Sequence, residues 1–326
     1  MKARIVSIAC IACASIFGLI AQEPKIVLPD RLLFATDLVA VGKIDMPPGA
    51  SFGVDGSATE VLEYCFPSLL RILGDGLCFD SNLSAIRASA TIASDVFTIS
   101  GELDLQPIVF ARIKAGGSVG TGWTTPSGGK PLFGLALNPP ADDEDIRPIP
   151  WGGYVGRFWL SVPVSISLYY LLPVPFAKIL AIGYEPRLDY RALSAAKAGE
   201  AWVWNNDEGM NFNGYKLRHR ITLLGPWPDI WGVQDLNMFA EYESWILGVE
   251  KLSPVSKNGW GSDVGFLSFG IYCRIGLTPW DILSVEGGTY QKLSWSDTEN
   301  HRYFGYRAFK DSYPGLRLSV GYRRLR

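Results

Sequence analysis

Apolar and polar residues alternate one by one through most of this chain. In GYKLRHRITLLG (214–225) the odd positions are Tyr215, Leu217, His219, Ile221 and Leu223. The even positions are Lys216, Arg218, Arg220, Thr222 and Leu224. A period of two is that of a β-strand, whose side chains point alternately to the two faces of a sheet. One face here is nearly all apolar, and the other carries three cations in a row. A sheet of such segments must turn one face to an apolar medium and the other to water or counter-charges.

The same alternation predicts strands at 31–43, 57–72, 80–94, 99–115, 131–138, 151–169, 177–192, 213–224, 236–250, 262–276, 281–292 and 313–323. Segment 57–72 is the most helix-like of these, and 131–138 is short. The uncharged stretch FWLSVPVSISLYYLLPVPFA (158–177) is long enough for a membrane helix. Its Pro163, Pro173 and Pro175 oppose that, because internal proline breaks the helical ladder. Phe158, Leu160, Val162, Val164, Ile166 and Leu168 share one parity and Trp159, Ser161, Pro163, Ser165, Ser167 and Tyr169 the other, which reads as a strand. Most of the segments run well past the roughly 5–6 residues of a soluble strand, toward the ~9–11 of a tilted strand that crosses a bilayer.

The facing follows from cost. A cation turned to hydrocarbon at mid-bilayer costs about 2–4 kcal/mol. Lys216, Arg218 and Arg220 therefore belong on an enclosed face, with Leu217, Ile221 and Leu223 toward lipid. Flanking segments offer partners. In 178–192, Lys178, Glu185, Arg187, Asp189 and Arg191 are set against Leu180, Ile182, Tyr184, Leu188 and Tyr190. In 237–248, Glu241 and Glu243 oppose Met238, Ala240, Tyr242 and Ile246. Arg274 opposes Phe269, Ile271 and Cys273, and Arg317 opposes Leu316, Leu318 and Val320. Opposite charges on neighbouring strands form a cross-strand ladder. Such a ladder either fills a narrow lumen with ion pairs or lines a mixed-charge pore.

The connections are asymmetric. Those after odd-numbered segments (44–56, 95–98, 139–150, 193–212, 251–261, 293–312) are mostly long and rich in Gly, Asp, Asn and Pro. Those after even-numbered segments (73–79, 116–130, 170–176, 225–235, 277–280) tend to be shorter. KAGGSVGTGW (114–123) reads as a glycine turn. Lys2 and Arg4 precede the apolar run 5–21, as in a signal peptide cleaved before Gln22. An uncleaved anchor and lipidation at Cys10 or Cys13 are the alternatives. Residues 22–326 then form one domain. Cys65, Cys78 and Cys273 remain, and Cys65 and Cys78 are spaced to pair in an oxidising compartment.

Together, the apolar leader, the long alternating segments and the loop asymmetry resemble a bacterial outer-membrane β-barrel of porin-like architecture. The resemblance covers residues ~30–326 and is one of architecture. It implies an all-β, closed, antiparallel, up-and-down transmembrane barrel of about 12 strands, within a range of 10–14. It further implies passive passage of small solutes or ligands and no cofactor, with outer-membrane lipid as the surroundings. Such barrels usually end on an aromatic residue, whereas here Tyr322 stands four residues before Arg326. Trp123, Trp151, Trp227, Trp231, Trp260 and Trp280 fall near predicted strand ends, as an interfacial girdle would.

The remaining chemistry is sparse. Charged residues are 19%, below the roughly 25% of a soluble protein, and the mean hydropathy is +0.14. A net charge of −2 with no basic patch excludes a nucleic-acid partner. Neither His219 nor His301 has a serine or paired aspartates placed for hydrolysis, and no metal-ligand spacing appears, so no enzyme is read. The acidic run Asp142, Asp143, Glu144 and Asp145 reads as a solvated loop. The alternative functions are a structural or adhesive surface protein using loops 193–212 and 293–312, or a secreted β-sandwich that binds a ligand.

Overall fold

The computed structural model describes residues 31–45, 51–67, 83–108, 110–125, 132–138, 147–168, 180–197, 200–205, 211–225, 233–247, 264–278, 280–294, 307–308 and 315–326. Among these there is no α-helix. Twelve strands hydrogen-bond in chain order into one closed antiparallel sheet. They are β1 (Arg31–Asp45), β2 (Ser51–Pro67), β3 (Leu83–Ala93), β4 (Val96–Ile108), β5 (Ala111–Gly122) and β6, in two pieces (Val155–Ser161 and Val164–Ser167). They continue as β7 (Ala181–Leu193), β8 (Gly214–Gly225), β9 (Val233–Leu247), β10 (Val264–Gly276), β11 (Asp281–Ser294) and β12 (Gly315–Leu325). The barrel closes where β12 pairs with β1, from Ala35 opposite Leu325 to Asp45 opposite Gly315. Closure leaves no free sheet edge, the condition for a sheet to stand in hydrocarbon.

The two faces are inverted relative to a soluble fold. Phe34, Ile86, Phe158, Ile221, Met238, Phe269 and Leu318 point outward, each 50–63% exposed. They lie on strands all round the barrel, far beyond the apolar patches of a soluble monomer. Inside, Asp104, Asp189 and Lys216 are buried. The architecture is that of an outer-membrane β-barrel, and a β-sandwich with a dry core between two sheets is set aside.

The strand number matches the sequence expectation through two offsetting differences. Predicted segment 99–115 is two strands, β4 ending at Ile108 and β5 starting at Ala111. Leu103 and Ile113 share one parity and both face out, so no change of phase marks the break. Predicted strand 131–138 lies outside the barrel, as the short strands Leu132–Phe133 and Leu135–Asn138. The glycine stretch 114–122, read as a turn, is part of β5. Segment 57–72, the most helix-like, begins within strand β2, which ends at Pro67. In β6 the ladder skips at Val162 and Pro163, opposite Pro186 of β7. Val162 N donates to Pro186 O at 3.2 Å there, and Arg112 N to Pro163 O at 2.9 Å.

The four longest connections, 123–154, 194–213, 248–263 and 295–314, leave from one end. At that end the first two fold together into a cap. Strands Ala201–Trp204, Leu135–Asn138 and Arg147–Pro148 make a small sheet. Leu135, Leu137 and Trp202 pack with Val155 and Leu193, the first residue of β6 and the last of β7. This cluster is the protein's soluble-type core, and it sits at the barrel mouth rather than in the lumen. The predicted leader 1–21, Cys78, the acidic run 142–145 and most of loop 293–312 lie outside the described residues.

Candidate functional site

The lumen is built differently on its two sides. Register places Glu63 of β2, Arg87 of β3, Glu102 and Asp104 of β4, and Arg112 of β5 on the inner face. Arg87 is the hub. It ion-pairs with Glu63, donates from Nη1 to Glu102 Oε1 at 2.8 Å and reaches Asp104 Oδ2 at 3.4 Å. Arg112 Nη1 shares that Asp104 oxygen at 3.2 Å. On β6, Trp159 continues the network, its Nε1 donating to Glu102 Oε2 at 3.1 Å. Arg157 and Arg187 lie over the Trp159 ring at 5.6 and 5.1 Å from its centroid, a double cation–π contact. Both arginines also hold Asp189, Arg157 Nε at 2.7 Å from Oδ1 and Arg187 Nε at 3.0 Å from Oδ2. Gly116 of β5 sits opposite Trp159, and a Cβ there would land in its ring. Aromatic surface and ion pairs occupy this side of the barrel, from β2 to β7.

The cationic face of β8 forms the boundary. Lys216 ion-pairs with Glu243 of β9. Arg218 Nη2 donates to Glu185 Oε1 of β7 at 3.2 Å, and its Nε lies 3.7 Å from Glu241 Oε2. Arg220 Nη1 lies 3.6 Å from the same oxygen. The Arg220 guanidinium also stacks on Phe239, 4.0 Å from the ring centroid.

Beyond that boundary is a cavity of about 360 Å³. Arg191, Asn211, Lys216, Arg220, Phe239, Glu241 and Glu243 line one side, and Phe266, Ser268, Glu286, Gly288, Tyr290 and Arg317 the other. Gly270 and Gly288 are paired across β10 and β11; the Phe239 ring lies against Gly270, and Gly288 carries no side chain into the cavity. The cap closes over one end. Phe212 packs edge-on against Trp245, with ring centroids 5.4 Å apart, and Asn211 Oδ1 accepts from Arg191 Nη1 at 3.2 Å.

The residues singled out in the sequence are thus distributed. Eight of them fall into three neighbouring sets: Arg187 and Asp189 join Arg157, Glu185 and Glu241 hold Arg218 and Arg220, and Lys216 pairs with Glu243, so Asp189 is taken by Arg157 and Arg187 rather than by β8. Arg191 and Arg317 line the cavity. Arg274 stands apart near the opposite end, where its Nε donates to Asp235 Oδ2 at 2.6 Å. Lys178 lies outside the described residues, and it shares the even parity of Ile182 and Tyr184, which face out. His219 sits in mid-strand on the outer wall rather than near a loop, its Nδ1 2.7 Å from the Tyr184 hydroxyl. Of the tryptophans, Trp123 and Trp151 stack at the capped mouth, ring centroids 5.0 Å apart, and Trp280 is exposed in the turn at the other end.

Sequence reading passed over Glu63, Arg87, Glu102, Asp104 and Arg157. The signal was present in the alternation of LSAIRASATI (83–92): Arg87 stands between Ile86 and Ala88 as Arg218 stands between Leu217 and His219. A lone cation among small residues draws less notice than three in a row.

No protein-family model matches the chain, and no curated protein matches it. Solved structures that overlap it include the translocator domain of the autotransporter NalP from Neisseria meningitidis, at TM-score 0.39 and 10% identity over 98% of this chain and 97% of that one. The KdgM porin overlaps at TM-score 0.38 and 8% identity over 88% and 98%. An anion-selective porin from Comamonas acidovorans overlaps at TM-score 0.38 and 9% identity over 91% and 100%.

Proposed function

We propose that the protein is a passive outer-membrane channel for small polar solutes, with its path along the β8–β12 side of the lumen. The observation that carries this reading is the asymmetry of the inner wall. From β2 to β7 the inner wall carries ion pairs gathered on Arg87 and Asp189, with Trp159 between them. From β8 to β12 the inward positions include Ser268, Ser284, Gly288, Ser319 and Gly321, which are small beside the charged lining. The two readings of the charge ladder, structural filling and pore lining, then apply to different halves of one barrel. Loop length orients the molecule: the end with the long connections faces the exterior, and the turn at 277–280 faces the periplasm.

Transport rather than catalysis fits the residues at hand. His219 engages Tyr184 on the outer wall, away from the lumen carboxylates. An adhesive role for loop 193–212 is weakened by the burial of Trp202, Val203 and Phe212 within the cap. Planar-bilayer recording of the purified protein tests the reading. Discrete conductance steps are expected. A correctly folded, heat-modifiable barrel that conducts nothing would refute it.

A further inference from the structure

We propose that the cavity beneath the cap binds a small organic carboxylate with a flat, apolar body. This deepens the channel reading and rests on it. Most charges in the lumen are already neutralised: Lys216 by Glu243, and Arg218 and Arg220 by Glu185 and Glu241. Three cavity groups have no direct ion-pair partner among the described residues. Arg317 makes no ion pair or side-chain hydrogen bond with any described residue, and its side chain stands exposed to the lumen. Arg191 makes no ion pair among the described residues; it donates to Asn211, while its buried Nε finds no acceptor. Glu286 likewise has no ion-pair partner among the described residues. Arg191 also lies in the field of Asp189 and Glu243, yet the cavity lining as a whole carries four cations, Arg191, Lys216, Arg220 and Arg317, against three carboxylates, Glu241, Glu243 and Glu286, and so is complementary to an anion.

Guanidinium is also the group that meets a carboxylate in a planar, two-pronged geometry. The space between is bounded by rings. Phe239 is held flat under Arg220, and Gly270 makes room for it, since a Cβ there would lie 2.6 Å from the Phe239 ring. Phe266, on the neighbouring strand β10, also lines the cavity, with Lys216 Nζ 5.6 Å from its ring centroid. Aromatic walls with a few convergent charges describe a site for a small ring-bearing acid, and about 360 Å³ lies within the size range of ligand pockets. Glu286 sets a limit: it repels a second negative charge nearby and so favours a monoanion over a dianion.

Isothermal titration of the full-length, detergent-purified protein tests this, with benzoate, benzamide and benzylamine as probes. Benzoate should bind at least tenfold more tightly than its neutral isostere benzamide, and benzylamine should bind weakest. Arg317→Gln should weaken benzoate at least tenfold. Glu286→Gln should tighten it severalfold, a gain that misfolding cannot produce. Equal affinity for benzoate and benzamide would overturn the proposal, as would an unchanged affinity in Arg317→Gln or a loss in Glu286→Gln. Bilayer conductance separates the two claims. A conducting barrel that ignores benzoate refutes the site and keeps the channel, whereas benzoate binding to a non-conducting barrel refutes the channel and keeps the site.

Discussion

On β8 Arg218, bonded to Glu185, and Ile221, three positions on and 51% exposed on the outer wall, point to opposite faces. The side chains differ in cost only through the medium each meets. Ile221→Arg places a cation against hydrocarbon, at about 2–4 kcal/mol near mid-bilayer. Assembly into vesicles, scored by heat-modifiable gel mobility, should fall sharply for Ile221→Arg. It should fall little for Ile221→Phe, which keeps the outward face apolar. Normal assembly of Ile221→Arg would mean that this face meets protein or water. Facing was legible from sequence because parity is all-or-none: a slip of one residue exchanges the two faces completely. Partner choice was less so. Cross-strand register decides that Asp189 lies opposite both Lys216 and Trp159, and only the folded geometry hands it to Arg157 and Arg187.

At the level of elements, strand β5 was the hardest to see. Its inward positions Gly116, Ser118 and Gly120 look like turn residues, yet the glycine at 116 answers to a ring across the ladder. Trp159 needs that space to lie between its two arginines. Gly116→Val should therefore displace Trp159 and break its bond to Glu102, with a clear loss of near-ultraviolet circular dichroism and a cost of about 1–3 kcal/mol from overpacking. Gly117→Ala should cost less, because its outward Cβ would meet the movable Phe158 ring at 3.1 Å. The cap was also invisible to periodicity, since its strands are two to four residues long and draw partners from two separate loops. Asn213 ties it down. Its Oδ1 accepts from Leu193 N at 2.7 Å and Trp202 Nε1 at 3.1 Å, and its Nδ2 donates to the carbonyls of Leu193 and Ala196, both at 3.1 Å. Asn213→Ala leaves those groups unpaired at about 1–3 kcal/mol. Amide exchange across 201–204 should accelerate while exchange in β10 to β12 stays slow. Uniform acceleration would show that cap and barrel unfold together.

For the whole molecule, the division of the lumen predicts that one kind of substitution has two outcomes, depending on which side it falls. Arg87 gathers Glu63, Glu102 and Asp104 around a single guanidinium. Reversing it to Glu removes the cation from three carboxylates and adds a fourth. Breaking a fully buried charge pair costs about 3–5 kcal/mol; this cluster is half-buried, so each contact counts for less, but three are lost together against the ~5–15 kcal/mol that stabilises a typical domain. Arg87→Glu should thus fail to assemble or melt far below the parent. Arg317 belongs to the other side. It has no carboxylate to abandon among the described residues, and its side chain stands in the cavity. Arg317→Glu should assemble with near-parental heat stability and shift ion selectivity toward cations, read as a change in reversal potential across a salt gradient. High salt should shrink that shift, because screening shortens the reach of an exposed charge to less than 10 Å above 0.1 M. If both reversals unfold the barrel, the ion-paired filling extends across the whole lumen. If both assemble and only Arg87→Glu alters selectivity, the path runs through the β2–β7 side instead.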